Sequence, residues 1–144
     1  MEIKVNSKSP AKRTMLFALA KFYAKLLNIE NSKFSLVIDT VKDFRKSAGL
    51  NGAVCLIDTR VIALALDSKL NIEQILITLA HEMVHVKQRA RGQLKYYTDH
   101  KGKTVCLWMG KRYKTEYYDS PWEIEAFSRE RVLANKVSQL LIKD

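Results

Sequence analysis

Asn71-Ile72-Glu73-Gln74-Ile75-Leu76-Ile77-Thr78-Leu79-Ala80-His81-Glu82-Met83-Val84-His85-Val86-Lys87-Gln88-Arg89-Ala90 is the stretch on which the reading of this chain turns. It opens on an asparagine, whose side chain accepts from the free amides of a helix start, and Gln74 stands where it can reciprocate. Ile72, Leu76, Leu79, Met83, Val86 and Ala90 recur at helical spacing as one apolar stripe, and Gly92 is a natural stop. The spacing predicts a helix.

Each helical residue advances about 100°, so His81 and His85 fall roughly 40° apart, one turn from each other. Their face includes Gln74, Thr78 and Gln88 and lies away from the stripe, which argues against two histidines serving only as core residues. Two neutral imidazoles so placed can hold one zinc ion and leave a position open for water. The ion brings the pKa of that water towards ~7, and a carboxylate takes its proton as it attacks a carbonyl. Glu82, about 100° from His81, is the carboxylate placed to reach the water rather than the ion.

A third ligand is required, and three residues compete. Glu123 and Glu125 lie in Pro121-Trp122-Glu123-Ile124-Glu125-Ala126, and His100 in a polar, lysine-rich loop. Glu123 falls near the apolar face made by Trp122, Ala126, Leu133, Val137 and Leu140, although it also has the form of a capping-box carboxylate. Glu125 lies further from that face and reads equally as a solvated charge. Glu123 is therefore the better placed.

Outward from this helix, Ser9-Pro10 opens a helical pattern reaching about Asn28, with Leu16, Leu19, Ala20, Tyr23, Leu26 and Leu27 in register. Phe34 to Ile38 reads as a strand and Val41 to Ala48 as a short helix or turn. Ala53 to Ile57 and Val61 to Leu66 read as a hairpin, and Thr104 to Trp108 and the region of Arg112-Tyr113 as two more strands. Ser120, Pro121 and Glu123 start a last helix running to about Ile142. The order predicts an α+β fold.

The 144 residues suffice for one domain, 1–144, and 47% hydrophobic with 28% charged residues is the balance of an ordinary globule. Cys55 and Cys106 sit in apolar contexts and read as buried free thiols. No signal-peptide pattern and no membrane-length apolar run is present, which leads to the expectation of a cytoplasmic protein with no membrane partner. The net charge is +10. From Lys87 to Lys114 the only acid is Asp99, and a second basic stretch runs from Lys4 to Lys25. Such stretches favour DNA, an anionic surface or an acidic substrate, or else form a solvated face.

The hairpin followed by Thr78-Leu79-Ala80-His81-Glu82-Met83-Val84-His85 resembles the core of SprT-like zinc metallopeptidases. Together with Trp108-Met109-Gly110-Lys111 and Pro121-Trp122-Glu123-Ile124-Glu125-Ala126, it resembles more closely still the small metallopeptidases of tailed bacteriophages. The resemblance covers roughly 49–130. It implies a minimal zincin fold, a small sheet packed on the histidine helix, with one zinc per chain. SprT-like enzymes take a third histidine, for which His100 is the match. Other HExxH families take the glutamate of a later Glu-x-x-Ala, which Glu123 to Ala126 matches.

The function expected is thus peptide-bond hydrolysis with Glu82 as general base, acting on a protein or peptide and, as the SprT-like resemblance implies, on DNA-associated proteins. The alternative is a nucleic-acid-associated protein whose zinc is not catalytic. Tyr113, Tyr117 and Tyr118 are candidates to steady an oxyanion or simply pack the sheet; Trp108 and Trp122 read as core.

Overall fold

The computed structural model describes residues 1–113 and 120–142. In chain order the elements are β1 (Glu2–Asn6), α1 (Pro10–Leu26), β2 (Ser35–Val41), α2 (Phe44–Ala48), β3 (Gly52–Asp58), β4 (Val61–Asp67), α3 (Ile72–Ala90), β5 (Leu94–Thr98), β6 (Thr104–Trp108), β7 (Lys111–Tyr113) and α4 (Pro121–Ile142). This is an α+β fold. One mixed sheet runs β1-β2-β4-β3, with β1, β2 and β4 parallel and β3 antiparallel at the edge; a separate antiparallel sheet runs β5-β6-β7. Among the described residues no helix is long and apolar enough to cross a membrane.

Two strands depart from the sequence reading. β1 has only Ile3 and Val5 as apolar residues, too short an alternation to stand out; its pairing with Leu36 and Ile38 on β2 makes it a strand. β5 lies in a basic tract and is drawn into a sheet by pairing with β6.

Local chemistry starts the helices as their sequences dictate. The Ser9 side chain accepts from the Lys12 amide with Pro10 in the first turn, and Asn71 and Gln74 exchange hydrogen bonds of 2.9 and 3.0 Å as a capping box. Gly92, at φ +67°, closes α3 in a conformation that costs a glycine little.

α3 is the centre of the molecule. It packs against α1, α4 and the sheet, with Leu79, Ala80, Met83, Val84 and Val86 fully buried alongside Leu16, Tyr23, Leu64 and Val137. The Tyr23 hydroxyl donates to the Leu76 carbonyl at 2.8 Å, tying α1 to α3. The apolar stripe was expected to begin at Ile72, but that residue is half exposed in the first turn and burial begins at Ile75. The histidine face is also buried, because α4 packs on α3; Ala126, Leu133 and Val137 of α4 are buried in the same core while Leu140 is exposed. Cys106 is buried as expected, but Cys55 is exposed on the edge strand β3.

Candidate metal centre

α3 presents His81, Glu82 and His85 in consecutive turns, and the first turn of α4 brings Glu123 against them. All four are buried, with 6–8% of their surface exposed. One Glu123 oxygen, Oε1, stands 2.9 Å from His81 Nε2 and 3.0 Å from His85 Nε2. One donor atom from each of the three residues lies within 4.8 Å of the others. Donors around a tetrahedral zinc ion with bonds of about 2.0–2.1 Å sit roughly 3.4 Å apart, so a small outward movement would seat an ion between them.

The outer nitrogens of the rings are held as well. His85 Nδ1 lies 2.8 Å from Gln88 Oε1, and Gln88 Nε2 donates to the Trp122 carbonyl at 3.0 Å and to Glu125 at 2.9 Å. With its amide nitrogen occupied by two acceptors, Gln88 must accept from Nδ1–H of His85. Nε2 of the neutral ring then presents its lone pair to a carboxylate oxygen. Two acceptors face to face require a cation between them, either a second ring proton or a metal ion. That is the observation by which these residues fit a metal. On the other ring, His81 Nδ1 lies 3.4 Å from Glu130 Oε2, and Phe127 packs edge-on at 4.6 Å between ring centres.

The electrostatics follow from the crowding. Burial pushes the Glu123 carboxyl up, but its two histidine hydrogen bonds and their charge outweigh this and hold it down at about 2. Burial would lower His85, but the Glu123 and Glu82 carboxylates raise it overall. Glu82 is raised, chiefly by burial, against the lowering effect of both histidines. Its carboxylate makes no hydrogen bond to another described residue.

Two cavities open beside Glu82. One, of about 260 Å³, is bounded by Gly52, Ala53 and Val54 of β3, by His85 and Arg89, and by Tyr96, Trp122 and Glu123. The other, of about 380 Å³, includes Asn51, Thr78, His81, Phe127 and Glu130. Leu50, Gly52 and Glu82 border both. At Gly52 the strand runs against the carboxylate's stem: a Cβ there would stand 3.1 Å from Glu82 Cγ and 2.9 Å from the Ala65 carbonyl oxygen.

Of the three candidates for a third ligand, only Glu123 joins the histidines. Glu125 turns aside to pair with Lys87 and Arg129, giving the buried Lys87 ammonium its counter-charge. His100 is exposed on the turn between β5 and β6. Trp122 packs with Leu94 and Cys106 yet also borders the smaller cavity, and Tyr113 stacks edge-on against it at 6.2 Å. Tyr117 and Tyr118 lie outside the described residues. Glu130 had no assigned task in the sequence, although its place seven residues after Glu123 puts both on one face of α4. Gln88 falls on the histidine face by spacing, but only the fold reveals that it orients a ring. No family model matches this chain, and neither a curated protein nor a solved structure was found to be similar to it.

Proposed function

We propose that the protein is a zinc-dependent peptidase whose ion is held by His81, His85 and Glu123 and whose general base is Glu82. The observation that carries this reading is the convergence of two imidazole nitrogens and one carboxylate oxygen on a common point, with a second carboxylate beside them that is unpaired among the described residues. Two histidines and a glutamate are an established catalytic zinc set. A zinc ion there supplies Lewis acidity for the scissile carbonyl and lowers the pKa of a water molecule. Glu82, its basicity raised by burial, takes a proton from the attacking water and passes it to the departing amine. A purely structural site would have no use for that carboxylate.

The cavities on either side of Glu82 run along β3, whose outer edge is unpaired among the described residues. An extended chain laid beside it would gain backbone hydrogen bonds and cross the site. As to family, the reading is a minimal zincin. A glutamate partner on a later helix fits the Glu-x-x-Ala kind of HExxH enzyme better than the SprT-like kind, since His100 stands apart.

Glu82→Gln keeps size and shape while removing the base. It should fold, retain zinc and lose peptidase activity by at least ~10²-fold. A variant that lost its zinc instead would make Glu82 a ligand and overturn the assignment. A second reading, action on DNA-bound proteins, is supported by the small sheet: Lys95 and Arg112 flank Leu107 in one cross-strand row, beside the exposed Tyr97.

A further inference from the structure

Arg89 has no task in the chemistry above, and its surroundings are unusual for an arginine. It lies one turn beyond His85 on α3, half-buried, and borders the same cavity as Glu82, His85 and Glu123. Helical side chains lean towards the N-terminus, so its stem leans back over the turn that carries His85. Its guanidinium carbon sits 4.5 Å from the centre of the Tyr96 ring. A cation–π contact of that kind restrains the group and needs none of its five N–H donors as hydrogen bonds.

No carboxylate among the described residues forms an ion pair with Arg89, and its guanidinium makes no hydrogen bond to any of them. The groups whose charge acts on it most are Tyr96, Cys55 and Cys106, while Glu82, His85 and Glu123 stand on the wall of the same cavity without pairing with it. The contrast with Lys87, two residues earlier, is instructive. That cation is more deeply buried and is matched by Glu125. Burying part of a guanidinium without an ion pair among the described residues is unfavourable, and the burial weakens the group's hold on its proton relative to an ordinary arginine. A planar fork held over a ring on the wall of a cavity, its donors unused among the described residues, is an arrangement that can bind a carboxylate by two parallel hydrogen bonds.

From this placement we infer that Arg89 is a specificity residue, binding a carboxylate of the substrate close to the bond that is cut, so that the preferred substrates are acidic peptides. The inference rests on the peptidase reading for the word substrate, but not for the anion pocket itself. The carboxylate belongs to an aspartate or glutamate side chain, or to the end of a peptide, and the two sources are separated by the probes below.

The test is calorimetric binding to the full-length Glu82→Gln protein, which prevents turnover. The probes are hexapeptides, acetylated and amidated, in which one glutamate is moved through each position, each with a glutamine twin; a further pair has a free or an amidated C-terminus. In at least one pair the carboxylate member should bind about tenfold or more tighter than its twin, and added Arg89→Ala or Arg89→Gln should bring that ratio to within about twofold. Lys21→Ala, at an exposed site on α1, should leave the ratio unchanged. Equal binding of every pair would overturn the inference. So would a preference that survives in both Arg89 variants, because the metal would then be taking the carboxylate. If the Arg89-dependent preference is present but wild-type protein cleaves none of the probes, the anion pocket stands and the peptidase reading falls.

Discussion

His85 is held from both ring nitrogens, and the two holds make different demands. The inner one faces Glu123 and, on our reading, the ion; the outer one is fixed by Gln88, which α4 fixes in turn through Trp122 and Glu125. Gln88→Ala should therefore leave zinc bound but weaken it by about 10–100-fold, as partners behind a metal-bound histidine commonly do. Glu123→Ala should weaken it far more than Glu125→Ala or His100→Ala, read by elemental analysis and competition with a chelator. A site emptied by His100→Ala would reinstate the third-histidine set. The pH dependence has a definite sign. Because the folded-state pKa of His85 is raised, its protonated form stabilises metal-free protein below the ordinary histidine range, and that contribution is lost as pH rises through the raised value. Zinc needs the deprotonated ring. The rise in Tm on adding zinc should thus grow between pH about 5 and about 8. A gain that stays flat or shrinks over this range would remove His85 from the ligand set.

α3 shows which elements a sequence can disclose. Its cap, its stop and the one-turn spacing of His81 and His85 are all local, and the same holds for the starts of α1 and α4; each is legible because neighbours in the chain decide it. β1 and β5 were not legible, because each is made a strand by pairing with a partner elsewhere. The site divides in the same way. His81, Glu82 and His85 are fixed by helical spacing, whereas the choice among Glu123, Glu125 and His100 depended on how α4 lies across α3, and no spacing encodes that. Gly52 belongs to this second kind. It permits β3 to close on α3 and touch the stem of Glu82, so Gly52→Ala should force either the strand or the carboxylate to shift. Peptidase activity should fall at least ~10-fold while zinc affinity changes little, since the atoms nearest the added Cβ belong to Ala65, Glu82 and Thr78 rather than to a proposed ligand. Loss of zinc in parallel with activity would mean that the strand supports the ligands rather than the base.

Charge acts at the scale of the whole molecule. Lys95, Lys101, Lys103, Lys111 and Arg112 all lie exposed on the small sheet and its turns. If they contact phosphates, binding to duplex DNA should weaken steeply between about 50 and 200 mM salt, and Lys95→Ala with Arg112→Ala should flatten that slope. Weak, salt-insensitive binding would leave the +10 charge as a solvated surface. The position of Glu123 has a mechanical meaning as well. It stands 42 residues from His81 in sequence, and the whole β5–β6–β7 sheet hangs in the loop between them. An ion bound at both ends ties that loop as a crosslink would. On the chain-entropy picture, this restricts the unfolded chain by an amount worth about 4 kcal/mol. Detaching α4 opens the loop and takes one ligand out of the site at the same moment. On this reading, tension applied through α4, by a tether or by a partner that grips it, would empty the site by drawing Glu123 away from His81 and His85.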